Sequence, residues 1–328
     1  MPGAERVGEV PAGDLLAELP PERLTRRASP HIPDEPPHVV TNDGRRTSRQ
    51  RPPIDAGPLV LIGGACTPHG EALGRFVDLA HARDAGRIIG LTTASADPGR
   101  SAALWRDDFR VAGARHVEIP IVRTRQDADD AALAERLRAA HGIFLGGGDQ
   151  VQLVAMLSGT KVGCAIRESW MTGATVCGTS AGAAALTELT LAGGEIDEEG
   201  VLVEMYIGPG LGLLGYRALI DTHFGARRRL HRLVVAISNN PELLGLGIDE
   251  DTALVVHGHT AEVVGTGGVT WVDGRSMRYD DAEAAGRGKH RTFSHLRVGA
   301  IGPGHAFDLR ERELASLVRP RESEAAGR

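Results

Sequence analysis

Residues 173–186 read GATVCGTSAGAAAL, and the handover inside this stretch decides the fold. A short β-branched run ends in glycine, and a run of small residues follows at once, so the stretch reads as a strand passing through a tight turn into a helix. The pentapeptide GTSAG (178–182) fits the G-x-S-x-G pattern in the strand-turn-helix context that gives the pattern meaning. Such a turn can hold Ser180 as a nucleophile, with the amide of Ala181 at a helix N-terminus facing a developing oxyanion. It can equally be an ordinary βα turn whose serine caps the helix. The pentapeptide alone leaves both readings open.

Outward from this point the same texture repeats. LVLIGGA (59–65), RIIGLTTA (87–94), HVEIPIV (116–122) and GIFLGG (142–147) are short apolar runs ending in small or hydroxyl residues. Between them lie segments at helical spacing, such as DADDAALAERLRAA (127–140). Strands alternating with helices imply an α/β fold, a doubly wound and mostly parallel sheet covered on both faces. A sixth unit follows, ALIDTHFGARRRLHRLVVAIS (218–238), in which Leu230, Leu233, Val234 and Ile237 share one helical face. After Pro241 the pattern turns to short strands and hairpins, LLGLGIDEDTALVV and AEVVGTGGVTWVD, with Gly267-Gly268 as a turn. This predicts a β-rich C-terminal edge, with a terminal helix near LREREL (309–314).

Ten of the 18 prolines fall in residues 1–53. Closely spaced prolines forbid regular helices and central strands, so residues 1–55 read as a Pro-rich, disordered arm, with at most a helical turn at DLLAEL. The expected organisation is that arm, an α/β domain over 56–275, and a C-terminal extension over 276–328 packing on the same domain. Hydrophobic residues are 41% and charged residues 24%, a balance that allows a sizeable core. A net charge of −6 with both signs interspersed gives no basic footprint for nucleic acid and no anchor for an anionic membrane. Cys66, Cys164 and Cys177 are odd in number and lack metal-site spacing, which points to a reducing compartment without disulfides or zinc. With no long apolar run and no apolar signal region near Met1, the expectation is a cytoplasmic protein.

Ligands of open parallel sheets collect beyond the carboxyl ends of the strands. Four polar clusters lie at predicted strand ends: GGGDQ (146–150), GTSAG, DTHF (221–224) and DEDT (249–252). His223 is the base a reactive serine would need, and Asp249, Glu250 and Asp251 are open alternatives for orienting it. The chain order Ser, His, acid differs from that of α/β-hydrolases. GGGDQ lets backbone amides approach a ligand but has neither dinucleotide nor P-loop spacing; GGACTPHG (63–70) fails the same tests, and HGH (257–259) reads as a turn. Arg227, Arg228, Arg229 and Arg232 offer guanidinium groups for carboxylates beside His223. A regular helix places Arg228 and Arg232 opposite the apolar stripe, and Arg228 reads as solvated. Cys177 precedes Gly178 and points into the sheet, so it does not supply the cysteine elbow of a glutamine amidotransferase.

In this order the clusters IFLGGGDQVQL, CGTSAGAAAL, GLGLLGYRALIDTHFGARRRLHRLV and LGLGIDEDTALVV resemble the cyanophycinase family, serine exopeptidases related to aspartyl dipeptidase E. The resemblance covers residues 58 to 275 and implies a flavodoxin-like sheet related to class I glutamine amidotransferases. It implies a triad of Ser180, His223 and Glu250, and an oxyanion hole from the amides of Gly148 and Ala181. Gln150, Asp221, Arg227, Arg229 and Arg232 match positions that bind a β-aspartyl-arginine unit, with Thr222 beside them. The implied substrate is cyanophycin, a polyaspartate bearing arginine on its side chains, or a β-aspartyl peptide. The resemblance implies no metal or other cofactor, and family members are often homodimers. Two departures bear on substrate identity: Thr222 stands where members commonly have Gln in DQHF, and GGACTPHG replaces the usual acidic GGAEDK loop. The alternatives are an aspartyl or isoaspartyl dipeptidase of the same fold and a non-catalytic binding protein.

Overall fold

The computed structural model describes residues 56–196, 202–280 and 292–315; the Pro-rich arm and its DLLAEL turn lie outside them. The chain first lays down β1 (Leu59–Ile62), α1 (Glu71–Leu79), β2 (Arg87–Leu91), α2 (Pro98–Val111) and β3 (His116–Glu118). Then come α3 (Arg125–Ala128), α4 (Ala131–Arg138), β4 (Gly142–Leu145), α5 (Gln150–Leu157), α6 (Lys161–Met171), β5 (Thr175–Thr179) and α7 (Ala181–Ala185). Side-chain caps start several of these helices. Asp97, Thr124, Asp130, Asp149 and Thr160 each accept a hydrogen bond from a backbone N–H of the first turn, satisfying donors the helix leaves orphaned.

Strands β1, β5, β4, β2 and β3 lie side by side in that order and parallel, as the alternation of strands and helices predicts. Their side chains alternate between two cores. Leu59, Leu61, Ile143, Leu145 and Val176 face the helices α4 to α7, whereas Val60, Ile62, Phe144 and Cys177 face α1 and α2. The second core is aromatic, with Phe109 edge-on to Phe144 at 5.0 Å and Trp105 4.5 Å from the same ring. Strand β1 therefore sends its helix to one face and the adjacent β5 sends its helix to the other. The crevice at their carboxyl ends is a topological switch point.

The C-terminal half is richer than alternation alone indicates. It contains β6 (Leu189–Ile196), β7 (Leu202–Pro209), β8 (Ala218–Asp221), α8 (Leu230–Asn239), β9 (Leu244–Ile248), β10 (Thr252–His257), β11 (Thr260–Gly265) and β12 (Val269–Asp273). Five short strands complete it: β13 (Tyr279–Asp280), β14 (Phe293–Ser294), β15 (Arg297–Ile301), β16 (Ala306–Asp308) and β17 (Glu313–Leu314). Strands β10, β11, β16 and β17 extend the first sheet antiparallel from β1, making nine strands. Strands β8, β9, β12 and β15 form a separate four-stranded sheet, and β6 pairs with β7 alone.

Three expectations change here. The sixth strand-helix unit does not extend the parallel sheet; β8 pairs in parallel with β9 in the second sheet. Gly267-Gly268 is a turn but not a hairpin, because β11 pairs with β10 while β12 pairs with β9 and β15. No helix forms at LREREL. The carboxylate of Asp308 accepts the amides of Arg310 and Glu311, which bends the chain into a turn, and β17 then pairs with β16. Among the described residues, no helix is long and apolar enough to cross a membrane.

Candidate active site

Ser180 follows β5 with φ 50° and ψ −117°, a conformation that costs a non-glycine residue energy and is held by its surroundings. Its amide donates to the carbonyl of Ile62 at the end of β1 (2.9 Å), which ties the turn into the crevice. The small residues around it are a packing requirement. A Cβ on Gly182 would lie 2.1 Å from the carbonyl oxygen of Leu145, so α7 starts in contact with the end of β4. Ser180 makes no capping bond to α7. Its hydroxyl lies 2.9 Å from Nε2 of His223 instead, which removes the helix-cap reading.

His223 comes from the other sheet, two residues past β8, with φ 51°. Its amide donates to the carbonyl of Gly63 (2.7 Å), so the histidine is pinned to the end of β1. Its Nδ1 lies 2.6 Å from Oε1 of Glu250, in the turn between β9 and β10. The three acidic residues of that turn are thereby distinguished. Asp249 accepts the amides of Gly225 and Gly268, and Asp251 accepts the amide of Thr67; Glu250 reaches the imidazole.

The loop 146–148 passes beside the serine, where a Cβ on Gly147 would lie 3.3 Å from that of Ser180. Gly148 follows with φ 136°, and Ala181 is the first residue of α7, next to Ser180. Gln150 opens α5 and its side-chain amide donates to the carbonyl of Leu191 in β6 (2.6 Å). Asp221 is 2% exposed and is ion-paired to both Arg229 (3.1 Å) and Arg232. Arg229 also donates to the carbonyl of Thr222, itself buried. Burial pushes the Arg229 guanidinium below its ordinary range against the pull of Asp221.

Arg232 corrects the helical-wheel expectation. It faces inward because Leu230 is 46% exposed and the buried face runs instead through Leu233, Ala236 and Ile237, which puts Arg232 one turn before Ala236. Arg227 and Arg228 lie in the exposed turn before the helix. Cys177 is fully buried, and burial pushes its thiol well above the usual range. Cys66, in the loop after β1, is pushed up to about 12, by burial first. The sequence reading missed Gly64, whose φ is 100° and whose missing side chain leaves room for the His223 ring. The paired glycines after β1 were the available signal.

A hydroxyl, an imidazole and a carboxylate joined in series at a strained strand-helix turn are the parts of a serine hydrolase site. The sequence model of Peptidase family S51 matches residues 59–264. The chain belongs to that family. It is accordingly a serine-type peptidase. The cyanophycinase of Synechococcus elongatus is 35% identical over 264 residues, covering 79% of this chain and 81% of that one. The cyanophycinase of Geminocystis herdmanii is 34% identical over 265 residues, covering 79% and 97%. A crystal structure of a peptidase from an acI-B1 Actinobacterium superposes with a TM-score of 0.56 at 20% identity, covering 77% of this chain and 97% of that one. That similarity bears on the fold, and the S51 fold fits the flavodoxin-like expectation.

Proposed function

We propose that this peptidase hydrolyses cyanophycin to β-Asp-Arg dipeptides through an acyl-enzyme on Ser180. The observation that carries the reading is the series Ser180 Oγ to His223 Nε2 (2.9 Å) and His223 Nδ1 to Glu250 (2.6 Å). The cyanophycinase relatives supply the substrate class.

In this mechanism neutral His223 takes the Ser180 proton as the hydroxyl oxygen attacks the backbone carbonyl of the polymer. Glu250 stabilises the imidazolium that forms and holds its tautomer. The amides of Gly148 and Ala181 receive the oxyanion, where fixed donors act without reorganisation. His223 then gives its proton to the departing amine. Water, activated by the same imidazole, cleaves the ester and restores Ser180.

Substrate recognition follows from the charge of the neighbouring cluster. Asp221 sets one carboxylate against the two guanidinium groups of Arg229 and Arg232, and Arg227 in the exposed turn adds a third positive charge, so the site keeps a positive excess suited to aspartyl carboxylates. Asp221 holds Arg229 and Arg232 in place and lowers the cost of burying them. Gln150, at the start of α5, is a further substrate contact in this reading. In this reading the protein acts in the cytoplasm.

The test compares purified protein on insoluble cyanophycin and on short isoaspartyl peptides, with products identified by mass spectrometry. Release of β-Asp-Arg from the polymer supports the proposal. Cleavage of the short peptides alone would replace it with an isoaspartyl dipeptidase and make Thr222 the first residue to exchange. Cleavage of neither by folded protein would favour a binding protein.

A further inference from the structure

The residues of the hydrogen-bonded series stand on different sheets. Ser180 follows β5 of the nine-stranded sheet, His223 follows β8 of the four-stranded sheet, and Glu250 lies where the chain crosses between them. Nothing in either sheet alone sets the distance from imidazole to carboxylate. That distance depends on how the crossing turn, 249–251, is tied to its neighbours.

We propose that Asp249 and Asp251 are positioning residues that clamp Glu250 between the two sheets. The proposal rests on the triad assignment above. Asp249 works on the histidine side. One carboxylate oxygen accepts the amide of Gly225, two residues past His223 (2.9 Å), and the other accepts the amide of Gly268, just before β12 (3.0 Å). The Asp249 amide returns a bond to the carbonyl of Gly268 (3.1 Å), so three bonds tie the residue to Gly225 and Gly268. Asp251 works on the serine side. Its amide donates to the carbonyl of Gly64 (3.0 Å), and its carboxylate accepts the amide of Thr67 (3.1 Å), both in the loop after β1. Asp251 has φ 48°, an uncommon conformation for this residue that these bonds hold in place.

Charge-assisted bonds to backbone amides are among the strongest available to a side chain. Asparagine keeps the size of aspartate but accepts through one oxygen, and its NH2 would oppose the second backbone donor at position 249. A misplacement of about 1 Å at a reacting pair can cost about 100-fold in rate.

The experiment uses the full chain with Asp249→Asn, Asp251→Asn, Glu250→Gln, the two double variants and Ser180→Ala as the labelling control. It follows kcat and KM on the hydrolysed substrate, and the rate of Ser180 labelling by a fluorophosphonate, with circular dichroism as the folding check. Asp249→Asn is expected to lose about 10- to 100-fold in kcat and in labelling rate, and Asp251→Asn, which keeps one oxygen for the Thr67 amide, about 3- to 10-fold, with KM changed less than about threefold in both. In the Glu250→Gln background the same substitution should cost less than about threefold, because there is then no carboxylate to position. Equal losses in both backgrounds would overturn the proposal, since a merely structural brace acts regardless of Glu250. Unaltered labelling rates would overturn it too, as would unfolding of both Asn variants. Equal labelling of wild type and Ser180→Ala would overturn the triad assignment and the clamp with it, an outcome distinct from loss of the clamp alone.

Discussion

The imidazole of His223 occupies the space that a side chain on Gly64 would fill. A Cβ built there lies 2.3 Å from Cε1 and 2.4 Å from Nε2 of the ring. The absence of a side chain at the end of β1 thus admits a histidine carried by a different sheet. Gly64→Ala should push the ring away from Ser180 and lower kcat about 100-fold while the protein still folds. Wild-type turnover by a folded Gly64→Ala protein would contradict this account.

The arginine cluster makes a prediction about stability. Removing Asp221 leaves Arg229 and Arg232 largely buried without their carboxylate, and breaking a buried pair this way costs about 3–5 kcal/mol. Urea unfolding of Asp221→Ala should show a loss of that order. A loss below about 1 kcal/mol would mean the pair behaves like an exposed surface bridge.

Asp273 predicts a pH dependence. Its carboxylate is 1% exposed and is ion-paired to Arg312 (2.6 Å) and Arg275 (3.0 Å). Burial pushes its pKa up, but the hydrogen bonds from Arg312 and Arg275 overrule it and hold the carboxyl below its ordinary value. The unfolded chain therefore takes up this proton first on acidification. The contribution is whole above the unfolded value of about 4 and is lost as pH falls through the folded value. In urea titrations at falling pH, Asp273→Asn should lose less stability to acid than the wild type does. Parallel acid losses would contradict it.

Thiol reactivity separates the three cysteines. Burial holds the thiols of Cys66 and Cys177 well above the usual range, so neither forms thiolate near neutral pH, whereas Cys164 is exposed. Brief iodoacetamide treatment of native protein should add one label, at Cys164, and three after unfolding. Rapid native labelling of Cys66 would show that the loop after β1 opens.

The parallel half of the fold was legible because fully buried strands read as apolar runs, and LVLI, RIIGL, GIFL and TVCGT each stand close to their observed bounds. The division into two sheets was not. A strand such as ALID states that it is buried but not which neighbour it pairs with, and β8 joins β9 through contacts absent from local pattern. Ser180, His223 and the acidic turn were legible as candidates at strand ends, whereas the residues alone left Glu250, Asp249 and Asp251 open and only the family resemblance singled out Glu250, the one whose carboxylate reaches the imidazole. The inward turn of Arg232 was hidden because Leu230 reads as part of the apolar stripe yet is exposed, which moves the buried face of α8 toward Ala236. LREREL misled because helical composition says nothing of Asp308, which captures the amides of the following turn.

The most direct test of the central claim is peptide mapping by mass spectrometry after the protein has reacted with a fluorophosphonate. The account predicts a single adduct on the peptide carrying Ser180, formed far more slowly in His223→Ala. An adduct on a different serine, or none on a protein that still releases dipeptide, would contradict it.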